Sequence, residues 1–515
     1  MDASFFIRGV WLVLFLLGCS PHRDEGVKVL VSAMPTTLDW NTSDPTSWVN
    51  FPVMLATQKG LTTLGADGTP GPGLASSWER SRTADGHERY VFQLRPDVTW
   101  SDGAPLEAAD FVLGWERALH GREGYELADL EEFHAVNLHT LEVLLHAPRN
   151  YFLSRLANVY VYFPAPSHEL RALSASDASD YFDHPRDGKP RSLGPFRVES
   201  WDRAGERVRL TRNPKSAFLP VLEPGEKPVQ TITLLRSEVG LALFERKRVD
   251  FVPVDDAAAL AGTPRVGLER EPLLSTYFLA FNTERSPLDD VRLRRFIAAA
   301  MDREALLQGL LPESRPSAHL VPGELPLAGA FEFPARRGLT VRPTRPLRLV
   351  YHAGASFIPE VAIAERIKAQ LSALGISIEL DARQDFSAEL SRRGADGTRT
   401  FDLYLKRIGA DYAHPNSFLT LFKPNGNHQT GWEHVDGGAA MARFAALLEA
   451  ADSESDGATA RGLYGRAEQL LLGEAAVIVP LYHPDRYFRR SGRVAGLRVD
   501  AFNFLSLGNV RWAAP

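Results

Sequence analysis

The amino-acid sequence predicts an α/β protein made of more than one folded unit, and three observations carry that prediction. The chain has 515 residues, 44% hydrophobic and 24% charged, which is enough for roughly two to four cores. Short segments of period-two alternation dominate its first half. A strand–helix–strand pattern stands in its second half. Gly 40 and Pro 35 exceed the average of folded proteins only slightly, so collagen-like and disordered classes are excluded. Lys+Arg 58 against Asp+Glu 64 gives a net charge of -6, which argues against a nucleic-acid partner. The single cysteine excludes an intramolecular disulfide and a thiolate zinc cage, since each needs at least two.

Val10 to Leu17 is an unbroken apolar run, followed by Gly18, Cys19 and Ser20 and then the polar stretch Pro21 to Glu25. Eight residues rise about 12 Å as a helix, far short of the ~20 residues that span a bilayer, so the run reads as a signal-peptide core. Leu16-Leu17-Gly18-Cys19 resembles the bacterial lipobox, in which a small residue lets a peptidase cleave before an acylated cysteine. Arg8 is the only basic side chain ahead of it, and Asp2 is acidic. Residues 1–18 are therefore expected to be removed, with Cys19 lipidated and the mature chain held outside the cytoplasm.

Beyond the leader, Val29 to Val31 reads as a buried strand and Ala33 to Asn41 as a loop. Tyr90 to Arg95 is a strand bounded by Asp85-Gly86 and Pro96. Ala109 to Leu119 is a helix with Phe111, Val112, Trp115 and Leu119 on one apolar face. The stretch Ser174 to Arg191, rich in Ser, Asp, Pro and Gly, marks a boundary. Strands restart at Phe196 to Glu199 and Val208 to Thr211. In the second half Leu347 to Tyr351 is a strand and Pro359 opens a helix whose one face is Ile363, Ile367, Leu371 and Leu374. Gly375 stops that helix, and Ile376 to Leu380 alternates again. This βαβ unit implies parallel strands, and ligands of open α/β sheets bind beyond the strands' carboxyl ends. Phe401 to Leu405 is a further strand, so the polar cluster after it sits where a crevice is expected.

Several separated segments resemble one family. Leu38-Asp39, Gly60 to Thr63 and Gly68 to Glu79 come first, then Tyr90 to Arg95, Val98 to Pro105 and Ala108 to Val112. Gly194-Pro195-Phe196 with Arg212-Asn213-Pro214, Val249-Asp250, Asn282, Pro287, Asp290 to Arg294 and Asp302-Arg303 follow in order. Ala410-Asp411-Tyr412, Pro415, Ser417-Phe418 and Thr430-Gly431-Trp432 complete the series. Together they are similar to the extracytoplasmic solute-binding proteins of ABC importers, in the peptide/nickel (family 5) group typified by oligopeptide-binding proteins.

The resemblance implies a periplasmic-binding-protein fold of type II: two α/β lobes joined by two hinge crossings, with an extra subdomain inserted in the first lobe. The first lobe would take residues 27–65, 193–274 and 485–515, the inserted subdomain 66–192, and the second lobe 275–484. It also implies a binding protein rather than an enzyme, with no cofactor. Its partners would be a peptide, an ABC permease with its ATPase subunits, and a bacterial membrane reached through a lipid anchor, and a monomer is expected.

A general peptide binder must read the ligand's backbone, its α-amino group of pKa ~7.7 to 8.0 and its carboxylate. Asp411 falls on the motif position that holds the ligand ammonium; its alternative role is an N-cap or Asx turn before Pro415. The resemblance puts one strand-addition edge at Arg407, Ile408 and Gly409 and another near Asp44, Pro45 and Thr46. Thr430 lies at the position of a threonine that helps hold the amine. Trp432 reads either as a pocket wall or as a core aromatic beside Gly431. Arg407 is the candidate for the ligand carboxylate, against a solvated surface arginine. Many oligopeptide binders have an aromatic residue or an Arg shortly before the Asp, where this chain has Lys406 to Gly409.

Other chemistries find little support. His134, His139 and His146 lack metal-ligand spacing, and Pro190 after Lys189 removes the hydroxyl of a phosphate loop. No nucleophile elbow or zinc-protease pair is present, so a peptidase is the weaker alternative. His428 and His434 flank the crevice segment and keep a family-5 ligand such as a nickel complex or heme open, alongside a sugar.

Overall fold

The computed structural model describes residues 26–514 apart from 42–47, 66, 122–123, 174–177, 179, 184–188, 255–259, 261, 265, 312–314, 332–342, 355–357, 425 and 427–429. Cys19, Asp44 and His428 lie outside the described residues.

Two mixed sheets organise the chain. A seven-stranded sheet runs in the order Glu269–Pro272, Asp485–Arg490, Phe251–Pro253, Val27–Leu30, Thr231–Leu235, Arg207–Arg212, Phe196–Asp202. A six-stranded sheet runs Arg315–Pro316, Ile478–His483, Ser275–Phe281, Leu403–Gly409, Leu347–His352, Ile378–Arg383. Ser275–Phe281 is buried at every position because both of its faces are covered. Tyr277, Leu279 and Phe281 pack with the helices Val291–Ala300 and Glu360–Ala373, while Phe278 and Ala280 pack with Ala439–Ser453 and Gly457–Gln469. Such strands read as continuous apolar runs rather than alternating ones.

The chain crosses between the sheets twice, and the crossings lie side by side. Pro272 pairs with Asp485 in the first sheet, Leu273 N–H donates to Pro484 O at 3.1 Å, and Arg315 pairs with His483 in the second sheet. Two adjacent extended crossings allow the bodies to rotate about one short axis.

A four-stranded antiparallel sheet, Ala75–Arg82, Glu88–Leu94, Thr140–Leu145, Leu130–Asn137, lies in the chain between the first strands of the seven-stranded sheet. The helix Ala108–Leu119 packs on it and begins with a capping box formed by Glu107 and Asp110. Phe111 and Trp115 face its core as expected, but Leu119 is 46% exposed because the helix ends there and turns its last residue to solvent.

The βαβ reading matches the structure: Leu347–His352 and Ile378–Arg383 pair in parallel around the helix Glu360–Ala373, which buries Ile363, Ala364, Ile367 and Leu371. The strand expected over Phe401 to Leu405 instead spans Leu403–Gly409. It runs on because the whole of Leu403–Gly409 pairs antiparallel with Ser275–Phe281.

Candidate functional site

The extended strand sets the site. Along an antiparallel pair, successive residues send their N–H and C=O groups to alternate sides. Ser275 stands opposite Gly409 and Tyr277 opposite Arg407, and Ala410 N–H donates to Leu274 O at 2.9 Å. That register turns the backbone of Ile408 toward Thr276 and the backbones of Arg407 and Gly409 toward the other edge. The strand on that edge, Leu347–His352, reaches only Leu403 and Tyr404 in register.

A cavity of about 260 Å³ opens at this edge. Arg407, Gly409, Ala410 and Asp411 form one wall. Phe51, Tyr160, Phe502 and Phe504 form another, with Tyr125, Glu126, Asn158, Val159 and Asn503 completing the lining.

The first wall is polar. Asp411 is exposed, and its backbone N–H is held by Ser417 Oγ at 2.8 Å. The short helix Asn416–Leu419 starts after Pro415 with no side-chain cap. Arg407 donates to Ser275 Oγ at 3.1 Å. Burial pulls the Arg407 guanidinium below its ordinary range, and Tyr482, Asp411 and Glu360 act against that pull. Behind Arg407 lies Glu360, which accepts from His352 N–H at 3.0 Å. Burial pushes the Glu360 carboxyl up to about 7, while that hydrogen bond and the Arg407 charge pull it down.

The second wall is aromatic. Phe51 and Phe504 stack at 4.2 Å with 15° between their planes, and Phe502 lies over Phe504 at 6.1 Å and 17°. Tyr160 meets Phe51 edge-on at 5.3 Å. The turn carrying Phe502 and Phe504 is tied by Asp500, one of whose carboxylate oxygens accepts from Phe502 N–H at 3.0 Å and Phe504 N–H at 2.9 Å. Between them Asn503 adopts a φ of 67°, a left-handed conformation that asparagine tolerates. Burial pushes Asp500 up to about 6, and the two N–H groups pull against it.

A polar clamp ties Arg149 and Asn150 to the helices Ala439–Ser453 and Gly457–Gln469. Asn150 Nδ2 donates to Ala451 O at 2.8 Å and Glu454 O at 3.2 Å, so it caps the last carbonyls of the helix Ala439–Ser453. Tyr464 donates to Asn150 Oδ1 at 3.1 Å and to the buried Asp452 at 2.7 Å. Arg149 reaches Glu449 at 2.7 Å. Tyr412, next to Asp411, packs on Tyr151 at 5.8 Å, and the Arg155 guanidinium lies 5.5 Å from its ring centre.

Of the expected site residues, Arg407, Gly409 and Asp411 are brought together in the cavity wall. Ile408 is buried in the core beside them, as strand alternation requires. Thr430 and Trp432 do not line this cavity. Thr430 is fully buried, and its C=O accepts from Thr283 N–H at 2.8 Å. Trp432 packs on Phe444 at 5.3 Å and donates to Phe422 O at 3.1 Å, so its wall reading gives way to the core reading. Its neighbour Gly431 has a φ of 70°, and a Cβ there would stand 2.2 Å from Glu284.

The strongest sequence signatures prove to be architectural. Asp110 accepts from Trp100 Nε1 at 2.9 Å and from Ser167 N–H at 2.9 Å, and Asn213 Nδ2 donates to Gly194 O at 3.0 Å. None of these residues lines the cavity. The aromatic wall was missed at the sequence level; the one local sign of it is Asp500 two residues before Phe502-Asn503-Phe504.

Two α/β bodies, two adjacent crossings and a cavity walled from separate parts of the chain define a two-lobed ligand-binding protein. Residues 69–430, well over half of the chain, match the family of bacterial extracellular solute-binding proteins, family 5 Middle. The chain belongs to that family, and it is a binding protein rather than an enzyme.

Among relatives, it is 27% identical to the "Probable deoxycholate-binding periplasmic protein YgiS" of Escherichia coli over 84% of this chain and 83% of that protein. It is 26% identical to the oligopeptide-binding protein OppA of Bacillus subtilis over 84% of each. The fold matches that of Haemophilus influenzae OppA in complex with the peptide RPPGFSPFR, with a TM-score of 0.69, 18% identity and coverage of 96% and 100%. It also matches the Listeria monocytogenes ABC transporter substrate-binding protein CtaP, with a TM-score of 0.76, 17% identity and coverage of 94% and 98%. Among the described residues no helix is long and apolar enough to cross a membrane.

Proposed function

We propose that this protein captures peptides outside the cytoplasm and delivers them to an ABC permease with its ATPase subunits. The observation that carries the reading is the strand edge Arg407–Gly409 ending at Asp411 inside the cavity. An extended ligand adds to such an edge through main-chain hydrogen bonds, and a carboxylate at its end suits the ligand ammonium. The Bacillus subtilis relative named as an oligopeptide-binding protein supports the same reading. Arg407 is the candidate partner for a ligand carbonyl or carboxylate oxygen.

The working division is a first lobe of residues 27–65, 193–274 and 485–515, an inserted subdomain of 66–192 and a second lobe of 275–484. In this scheme the clamp around Asn150 joins the inserted subdomain to the second lobe. Cys19 carries the lipid anchor, and the mature chain acts as a monomer. Labelled fatty acid is expected to enter the wild type and not Cys19→Ala.

A second reading has two observations in its favour. The aromatic wall and the relative named for deoxycholate suit an amphipathic carboxylate with a flat apolar body. Native mass spectrometry of the protein purified without denaturation separates the two. A co-purified peptide, with calorimetric binding of Ala-Ala-Ala-class peptides and none of deoxycholate, supports the peptide reading. Binding of deoxycholate alone overturns it.

A further inference from the structure

We infer that the Phe51–Phe504–Phe502 stack is a side-chain subsite that selects an aromatic or large apolar side chain on one of the first two residues of the ligand. The inference rests on the peptide reading above and goes beyond it by naming what the ligand must carry.

Three observations lead there. The stack shares one cavity with Asp411, and a cavity of about 260 Å³ equals a sphere roughly 8 Å across. An extended chain advances about 3.3 to 3.6 Å per residue, so a ligand whose ammonium meets Asp411 brings only its first two residues within reach of the rings. Phe51 and Phe502 are only partly buried, so ring surface remains for a ligand to cover. Aromatic rings in offset or edge-on contact gain beyond the area they bury, and Phe51, Tyr160 and Phe504 already present both geometries.

The stack is also held in place at a cost. Asp500 is a half-buried carboxyl, one of whose oxygens takes both the Phe502 and Phe504 N–H groups, and Asn503 occupies a left-handed conformation between the two flanking rings. Hydrogen bonds committed to one short turn fix ring positions, and fixed rings discriminate between ligands better than mobile ones. Asp500 is thus a positioning residue for the subsite.

The test is calorimetry on the full mature chain with Phe-Ala-Ala, Ala-Phe-Ala, Ala-Ala-Phe and Ala-Ala-Ala, all with free amines. Phe-Ala-Ala or Ala-Phe-Ala is expected to bind at least about tenfold more tightly than Ala-Ala-Ala, and Ala-Ala-Phe within about threefold of it. Phe504→Ala should remove the preference, so that within the variant Phe-Ala-Ala and Ala-Phe-Ala bind within about threefold of Ala-Ala-Ala. Asp500→Ala should blur the preference, whereas Asp500→Asn, which keeps one oxygen for both N–H groups, should retain it. Equal affinity for all four peptides overturns the inference and leaves the peptide reading standing. A uniform loss for every peptide in Phe504→Ala assigns the ring a structural role and also overturns it. Failure of all four peptides to bind overturns the peptide reading, and this inference with it.

Discussion

The two walls of the cavity are made in opposite ways. Arg407, Gly409 and Asp411 sit on or just past one strand, within five consecutive residues, and offer charge and backbone. Phe51, Tyr160, Phe502 and Phe504 come from three distant parts of the chain and offer apolar area. A strand edge fixes direction, because its N–H and C=O groups repeat at fixed intervals; an aromatic wall fixes no direction but rewards burial. The contrast teaches that orientation and side-chain choice can be separated in one small cavity. Substitutions on one wall should then change what those on the other leave alone.

The largest effect is expected at Asp411. Asp411→Asn keeps the shape and removes the charge, and breaking a buried charged pair costs about 2 to 5 kcal/mol once the ligand is enclosed. Affinity for a free-amine peptide should fall by roughly 30-fold or more at ~1.4 kcal/mol per decade. An N-acetylated peptide should bind the wild type poorly and lose much less on mutation. Additive losses in this double-mutant cycle, with no coupling, would break the assignment.

Glu360, behind Arg407, comes next and tests how far the polar wall is charged. Burial raises its carboxyl from 4.5 to about 7, so the folded state holds a proton that the unfolded state has lost between those values. The contribution is full below pH 4.5 and is lost as the pH rises through about 7, on the order of 3 kcal/mol. Glu360→Gln should flatten that part of the denaturation profile and exceed the wild type in stability above pH 7. A variant whose profile parallels the wild type's would show that Glu360 carries none of it.

Asn150 sharpens the comparison because it lies outside both walls. Asn150→Ala strips two carbonyls and a tyrosine hydroxyl of their partner, a loss of about 1 to 3 kcal/mol from the arrangement in which these segments meet. If binding requires that arrangement, its population falls, and apparent affinity should drop about tenfold for every ligand alike. Small-angle scattering should report a larger radius of gyration than the wild type at equal ligand. A ligand-selective loss would place Asn150 in the cavity instead.

The smallest effect on binding belongs to Trp432. Trp432→Phe should lower the melting temperature through lost packing on Phe444, yet leave peptide affinity within about twofold. A tenfold loss of affinity in a folded variant would return the residue to the site.

Much of this molecule was decided by the sequence alone, and the reason is locality. Period-two and helical alternation placed Leu347–His352, Glu360–Ala373 and Ile378–Arg383 within a few residues, because a periodic apolar face is a property of consecutive side chains. The signature around Trp100 and Asp110 was legible for a related reason: its residues hold one another through contacts close in the chain. Asp411, too, was singled out, through the resemblance of Ala410-Asp411-Tyr412 to a family motif and its place after a strand end. What only the tertiary structure decided is the other half of the cavity and the placing of Thr430 and Trp432. Phe51, Glu126, Tyr160, Arg407 and Phe504 meet although up to hundreds of residues separate them, and no local pattern marks one aromatic as wall and another as core. That choice is made by which surfaces remain uncovered once both sheets have closed their faces, a sum over the whole chain rather than a property of any segment.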